Sequence, residues 1–136
     1  MHTVSFDGGM RFTGMGKNGR TASMDAGVSS GGTDSAPSPV EFLIFAVGGC
    51  SGMDIVSILR KMKCEPEGLT IEISDERAVD HPKRITAIHL TYVVNGEVPE
   101  ENLKRAIDLS LTKYCTVANT LSSSVAITSD YRFETS

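Results

Sequence analysis

The sequence predicts an α+β fold in one domain, residues 1–136, with a mainly antiparallel sheet around one long central helix. Three observations predict it. Alternating apolar runs of strand length recur at Thr3–Phe6, Leu69–Ser74, Ile85–Val94 and Val125–Phe133. An uncharged, largely apolar stretch from Phe42 to Met53 lies inside a helical pattern that runs from Ser38 to about Lys63. The 136 residues hold no internal repeat and no linker, and suit one domain with a core of its own. The inferred order is βββ-α-ββ-α-α-β.

Residues 1–26 read as two or three short strands. Thr3–Phe6 leads into the turn Asp7-Gly8-Gly9, and Met10–Gly14 continues. Lys17-Asn18-Gly19-Arg20 carries the Asn-Gly signature of a hairpin, and Thr21–Asp25 is the return strand. Residues 27–38, GVSSGGTDSAPS, form a long glycine- and serine-rich loop, expected to be functional or mobile. Ser38-Pro39-Val40-Glu41 is a helix start: Ser38 caps, Pro39 takes the first helical position, and Glu41 completes a capping box. Apolar residues crowd every face of this helix up to Val56, so its first half is expected to be deeply buried. Arg60, Lys61 and Lys63 bring positive charge to its C-terminal end, where the helix dipole favours it. A glycine inside a helix costs about 1 kcal/mol relative to alanine. Gly48, Gly49 and Gly52 together therefore imply a close approach to the backbone.

Leu69–Ser74 and Ile85–Val94 are the next strands, with the turn Asp80-His81-Pro82-Lys83 between them. Pro99-Glu100-Glu101 opens a helix that turns Leu103, Ala106, Ile107, Leu109 and Ser110 inward and ends near Lys113-Tyr114. Thr116–Leu121 is a further short helix, and Val125–Phe133 closes the fold as a strand.

Composition excludes several functions. The formal net charge is −4 and no basic stripe exists to neutralise phosphates, so nucleic acid is not an expected partner. The uncharged stretch Phe42–Met53 is shorter than the roughly 20 residues of a membrane span, which points to a core helix and no membrane partner. The opening MHTVSFDGGM has neither the charged nor the apolar region of a signal peptide. Three cysteines, an odd number with no CxxC, do not form a secreted disulfide framework. A cytoplasmic protein with reduced thiols is expected. Three scattered histidines give no zinc pattern.

The chemistry lies in the thiols. Cys50 sits in AVGGCSGMD and Cys115 in KYCTVANTL. Thiol chemistry needs one thiolate to attack and a second thiol to resolve the product. A buried cysteine is otherwise a small hydrophobe, and that reading stays open for Cys50. Against it, Gly48, Gly49, Ser51 and Gly52 thin the packing around the sulfur and leave room for a substrate. Cys115 stands where a helix begins, and free N–H groups and the dipole there favour a thiolate; an incidental cysteine at a helix junction is the alternative. Cys64 reads as an unremarkable thiol. Glu41, nine residues before Cys50, lies half a turn round and about 13 Å along the helix, too far to touch it on the same chain. Its place in the capping box is a sufficient role. Asp54, four residues after Cys50 on the same face, would raise a thiol pKa unless it binds a cation or an N–H group.

SPVEFLIFAVGGCSGMD resembles the Pro-x-Glu-Leu-Leu…Gly-Cys helix of the OsmC/Ohr family of thiol-dependent peroxidases, and KYCTVANTL resembles its second cysteine motif. The element order is also similar, so the resemblance covers nearly the whole chain. It implies an intertwined homodimer with two long central helices against six-stranded sheets, and active sites at the subunit interface. It implies that Cys50 is the peroxidatic thiolate acting on an organic hydroperoxide, and that Cys115 resolves it to a disulfide. A small dithiol or a dithiol protein would reduce that disulfide. No cofactor and no metal are implied, and the role is antioxidant, in an oxidative stress response. Family members hold the thiolate with an arginine from the N-terminal hairpin and a glutamate from the helix start. Here the arginine position falls at or near Lys17, with Arg20 three residues on and Arg11 on the preceding strand. Lysine is a point charge without the bidentate fork of arginine. Glu41 stands nine residues before the cysteine where the family places its glutamate ten before, as in a less characterised OsmC-like branch.

Two other readings compete with the peroxidase. One is an OsmC-like dimer that binds a small ligand or senses redox state without efficient turnover. The other is a structural dimer whose cysteines are incidental.

Overall fold

The computed structural model describes residues 1–135 of the 136. The elements follow the order expected, and the chain resolves into two compact units, Met1–Leu43 and the part from Ile44 onward.

The first unit is a three-stranded antiparallel sheet, β1 (Thr3–Gly8), β2 (Arg11–Met15) and β3 (Thr21–Met24), in that order. The hairpin between β2 and β3 closes with the Gly16 N–H donating to the Arg20 carbonyl at 2.8 Å, and Gly19 takes the positive φ of +77° that its turn requires. The loop that follows is built around one carboxylate. Asp25 is buried, and it accepts hydrogen bonds from the Ala26 N–H and from the N–H and hydroxyl groups of both Thr33 and Ser35. These bonds, the Ser35 hydroxyl first, hold the Asp25 carboxyl well below the usual carboxylate range. Arg11 in turn donates to the Ser35 hydroxyl. The loop expected to be mobile or functional is therefore cross-braced on Asp25. Gly32 is obligatory in it, because a Cβ there would meet the Ala26 carbonyl oxygen at 2.0 Å.

Helix α1 runs Pro39–Lys61, two residues shorter than the charge pattern suggested. Its start is the capping box expected: the Ser38 N–H donates to Glu41 Oε1 at 3.0 Å, and the Glu41 N–H to Ser38 Oγ at 3.2 Å. By length and composition α1 could cross a membrane. Its buried residues, Val47, Gly48, Ser51, Ile55 and Leu59, instead form one stripe at helical spacing, the first and last three of which are closed off completely in the core of the second unit. The first half is not buried on every face as expected. Leu43 and Phe45 are exposed, because a stripe of this width leaves apolar residues outside it.

The second unit carries a second three-stranded sheet, β4 (Gly68–Arg77), β5 (Ile85–Asn95) and β6 (Ala126–Phe133). The expected six-stranded sheet is corrected, and its mainly antiparallel character holds with one exception. The strands divide into two separate sheets of three, and β5 pairs with β6 in parallel. The connection from β5 to β6 explains the exception. It spans α2 (Glu100–Leu109), a five-residue π-helical turn (Ser110–Tyr114) and α3 (Thr116–Leu121), the long crossover that a parallel pair requires. On β5, alternate residues Ile88, Leu90, Tyr92 and Val94 are fully buried, and Leu103, Ala106 and Ile107 of α2 join the same cluster.

The three glycines of α1 divide by role. A Cβ on Gly48 would lie 2.5 Å from Ile73 Cδ1, and one on Gly52 would lie 3.0 Å from Ile71 Cδ1. Strand β4 is the close approach the sequence implied, at two of the three positions. Gly49 faces open space.

Candidate active site

Cys50 lies midway along α1 and is half-buried, and Cys115 is fully buried at the N-cap of α3. Both are free thiols, and the Cys50 thiol is one of the groups that raise the Cys115 pKa, so the fold brings the two near each other. Sixty-five residues of chain (115 − 50) separate them, so only the tertiary packing of the second unit brings them together.

A local device places Cys115. Helix α2 does not continue as an α-helix but widens at Ser110 into the π turn. The turn closes with the Cys115 N–H donating to the Ser110 carbonyl at 2.7 Å, five residues back. Such widened turns concentrate at functional sites. Cys115 then caps α3, its sulfur accepting from the Ala118 N–H at 3.4 Å.

Beside the thiols runs a chain of buried polar side chains. Ser110 Oγ donates to Asp54 Oδ2 at 2.9 Å. Ser51 Oγ lies 2.8 Å from Ser110 Oγ and 2.6 Å from the Tyr92 hydroxyl. Each hydroxyl has one proton. Ser110 gives its proton to Asp54, so Ser51 must donate to Ser110 and Tyr92 to Ser51. The direction Tyr92 to Ser51 to Ser110 to Asp54 is fixed by that count. Ser51, Tyr92 and Ser110 are fully buried, and every link is satisfied.

Burial dominates the electrostatics of Cys115. Burial pushes the Cys115 thiol up to about 11; the Ala118 N–H opposes this, while the Cys50 thiol and the Asp54 charge add to it. The helix-start advantage expected for a Cys115 thiolate is outweighed, because α3 has only six residues and the sulfur is closed off from water. Burial likewise pushes the Tyr92 phenol up to about 12. An acid whose pKa is higher folded than unfolded contributes its full stabilisation below the unfolded value and loses it as pH rises to the folded value. The unfolded chain sheds the Cys115 proton near the ordinary 9.0, and the folded chain holds it to about 11. Stability is therefore expected to fall as pH rises through that interval. Urea midpoints measured across it should drop for the wild type and drop less for Cys115→Ala. Equal slopes would show that burial does not hold this proton.

The other expected residues have other surroundings. Glu41 is engaged in the capping box. Lys17 and Arg20 belong to the β2–β3 turn of the first unit, whereas both thiols belong to the second. Among the described residues Asp54 receives the Ser110 hydroxyl and is shown neither a cation nor an N–H group. Cys64 accepts from the Asn102 side chain at 3.3 Å. The sequence reading missed Tyr92 and the role of Ser110, and took Ser51 for a packing-thinner where it is a buried link. One signal was present: a serine at an inward-facing helical position, as Ser110 is, needs a polar partner.

An α+β chain that apposes two reduced cysteines, one half-exposed and one buried, is a dithiol protein. The chain belongs to the OsmC-like protein family, whose model matches residues 32–130. It is 39% identical over 124 residues to Protein YhfA of Escherichia coli (strain K12), covering 90% of each chain. Among solved structures it is similar to a hypothetical protein from Aquifex aeolicus VF5, at a TM-score of 0.86 and 26% identity over 100% of this chain and 96% of that one. It shares the fold of an organic hydroperoxide resistance protein OsmC from Legionella pneumophila, at a TM-score of 0.73 and 13% identity over 96% and 94% of the two chains.

Proposed function

We propose that this protein is a thiol-dependent peroxidase that reduces organic hydroperoxides in a stress-related redox role. The observation that carries the reading is the apposition of two free thiols in unlike surroundings. Cys50 is partly open to an incoming molecule and Cys115 is sealed and held protonated, which supports an attacking role for the first and a resolving role for the second.

The Cys50 thiolate attacks the distal oxygen of the hydroperoxide. The O–O bond breaks, the alkoxide leaves and is protonated to the alcohol, and Cys50 becomes a sulfenic acid. The Cys115 sulfur then attacks the Cys50 sulfur. The S–S bond forms and hydroxide leaves as water, taking the proton that Cys115 gives up. A dithiol, small or protein-borne, returns two electrons and two protons and restores both thiols. The family likeness gives Lys17 or Arg20, with Glu41, the task of holding the Cys50 thiolate, and these roles belong to the same proposal. So does a homodimer, which the apolar surface of Phe45 and Met53, 50% and 76% exposed on α1, supports.

A ligand-binding role without efficient turnover has one observation in its favour, an open apolar groove of about 670 Å³ between α1 and β4, lined by Phe45, Gly49, Met53, Val56 and Ile71 among others. One experiment separates the two. The protein is given one equivalent of cumene hydroperoxide or of hydrogen peroxide, and the thiols are counted by mass. The peroxidase reading expects fast loss of two thiols per chain, with Cys50 joined to Cys115 and the organic peroxide preferred. Slow, unselective oxidation favours the binding role.

A further inference from the structure

Ser110 holds both halves of the thiol pair. Its hydroxyl grips α1 at Ser51, the residue after Cys50, and at Asp54, one turn further on. Its carbonyl grips the Cys115 N–H through the π turn. One residue therefore ties the segment that carries Cys115 to the turn of α1 that carries Cys50. Apolar residues of similar volume at Ser51, Ser110 and Tyr92 would fill the same core without the cost of burying hydroxyls. A disulfide also demands a narrow geometry, with Cβ atoms about 3.8 Å apart and a preferred dihedral angle. Small errors in placement slow a reaction between held groups by large factors.

Resting on the peroxidase reading, we propose that Ser110, anchored on Asp54, is a positioning residue for disulfide closure. It keeps Cys115 against the Cys50 sulfenic acid, so that the S–S bond forms before a second hydroperoxide arrives. The competing reaction is defined: the sulfenic acid takes an oxygen from a second hydroperoxide, which leaves as alcohol, and Cys50 becomes a sulfinic acid. The Asp54 carboxylate fixes the direction of the hydroxyl chain, and so the orientation of Ser110.

The test compares Ser110→Ala and Asp54→Ala with wild type under a graded dose of cumene hydroperoxide. The ratio of Cys50 sulfinic acid to Cys50–Cys115 disulfide is read by mass, and the sulfenic acid is trapped with dimedone. Both variants are expected to raise that ratio by about tenfold or more and to accumulate the dimedone adduct. Asp54→Asn keeps an acceptor oxygen for Ser110 and is expected to restore most of the wild-type ratio. A merely structural role would lower the melting temperature and leave the ratio unchanged, which overturns the proposal. If Ser110→Ala does not fold, the two Asp54 variants decide on the same readout. If wild type itself forms no disulfide, the peroxidase reading falls and the positioning role with it. If wild type closes and the Ser110 and Asp54 variants close equally well, the positioning role alone falls.

Discussion

Cys50→Ser is expected to lower organic hydroperoxide turnover by on the order of a thousandfold or more, since it removes the nucleophile. Cys115→Ser is expected to behave differently. Given a single equivalent of hydroperoxide and no added thiol, it should consume that equivalent and leave Cys50 as the sulfenic acid, which a larger dose carries on to the sulfinic acid. The asymmetry follows from the surroundings of the two sulfurs. Cys115 is fully buried and held protonated by that burial, so it cannot begin the reaction. It becomes useful only once an electrophilic sulfur lies against it. Single-turnover peroxide loss with mass analysis of both variants checks this. A Cys115→Ser protein that forms a disulfide through Cys64 would move the resolving role to Cys64. A Cys50→Ser protein that still consumes hydroperoxide at the wild-type rate would end the peroxidase reading.

Much of this arrangement was legible in the sequence because it depends on local chemistry. The capping box at Ser38–Glu41, the Asn-Gly hairpin at Lys17–Arg20 and the short helix after Cys115 are each written in a few neighbouring residues, and all three occur. The parallel pairing of β5 with β6 was not legible. An alternating strand carries no mark of its partner's direction, and the direction here is set by a crossover of three helical pieces. Nor was the division into two sheets, since six strand patterns fit one sheet or two equally well. The local contexts of Cys50 and Cys115 marked them as a pair, their separate roles came only through the family resemblance, and their nearness is a product of packing. The polar chain through Tyr92, Ser51 and Ser110 was hidden for a different reason. Each of these residues has an ordinary role on its own, and a buried hydrogen-bond chain shows only when three distant segments meet.

Leu90→Ala is expected to destabilise the second unit by about 3 kcal/mol, from lost apolar transfer and the cavity left behind. Leu90 is fully exposed to the core and to nothing else: it has no solvent-accessible surface, and it stands on β5 between Ile88 and Tyr92, which are equally closed off. A drop in urea midpoint at unchanged slope reads the effect. Tyr92→Phe is the instructive companion. It keeps the ring in the same core and removes only the hydroxyl that donates to Ser51, leaving that buried oxygen short of a partner at a cost of about 1–3 kcal/mol. If Leu90→Ala weakens folding without changing disulfide closure, while Tyr92→Phe impairs closure beyond its effect on stability, apolar packing makes the unit and the hydroxyl chain aligns its chemistry. If closure tracks stability alike in both, the hydroxyl chain is only another part of the core. A Leu90→Ala cost under about 1 kcal/mol would contradict the packing argument, because a site enclosed on all sides by the core offers no easy collapse.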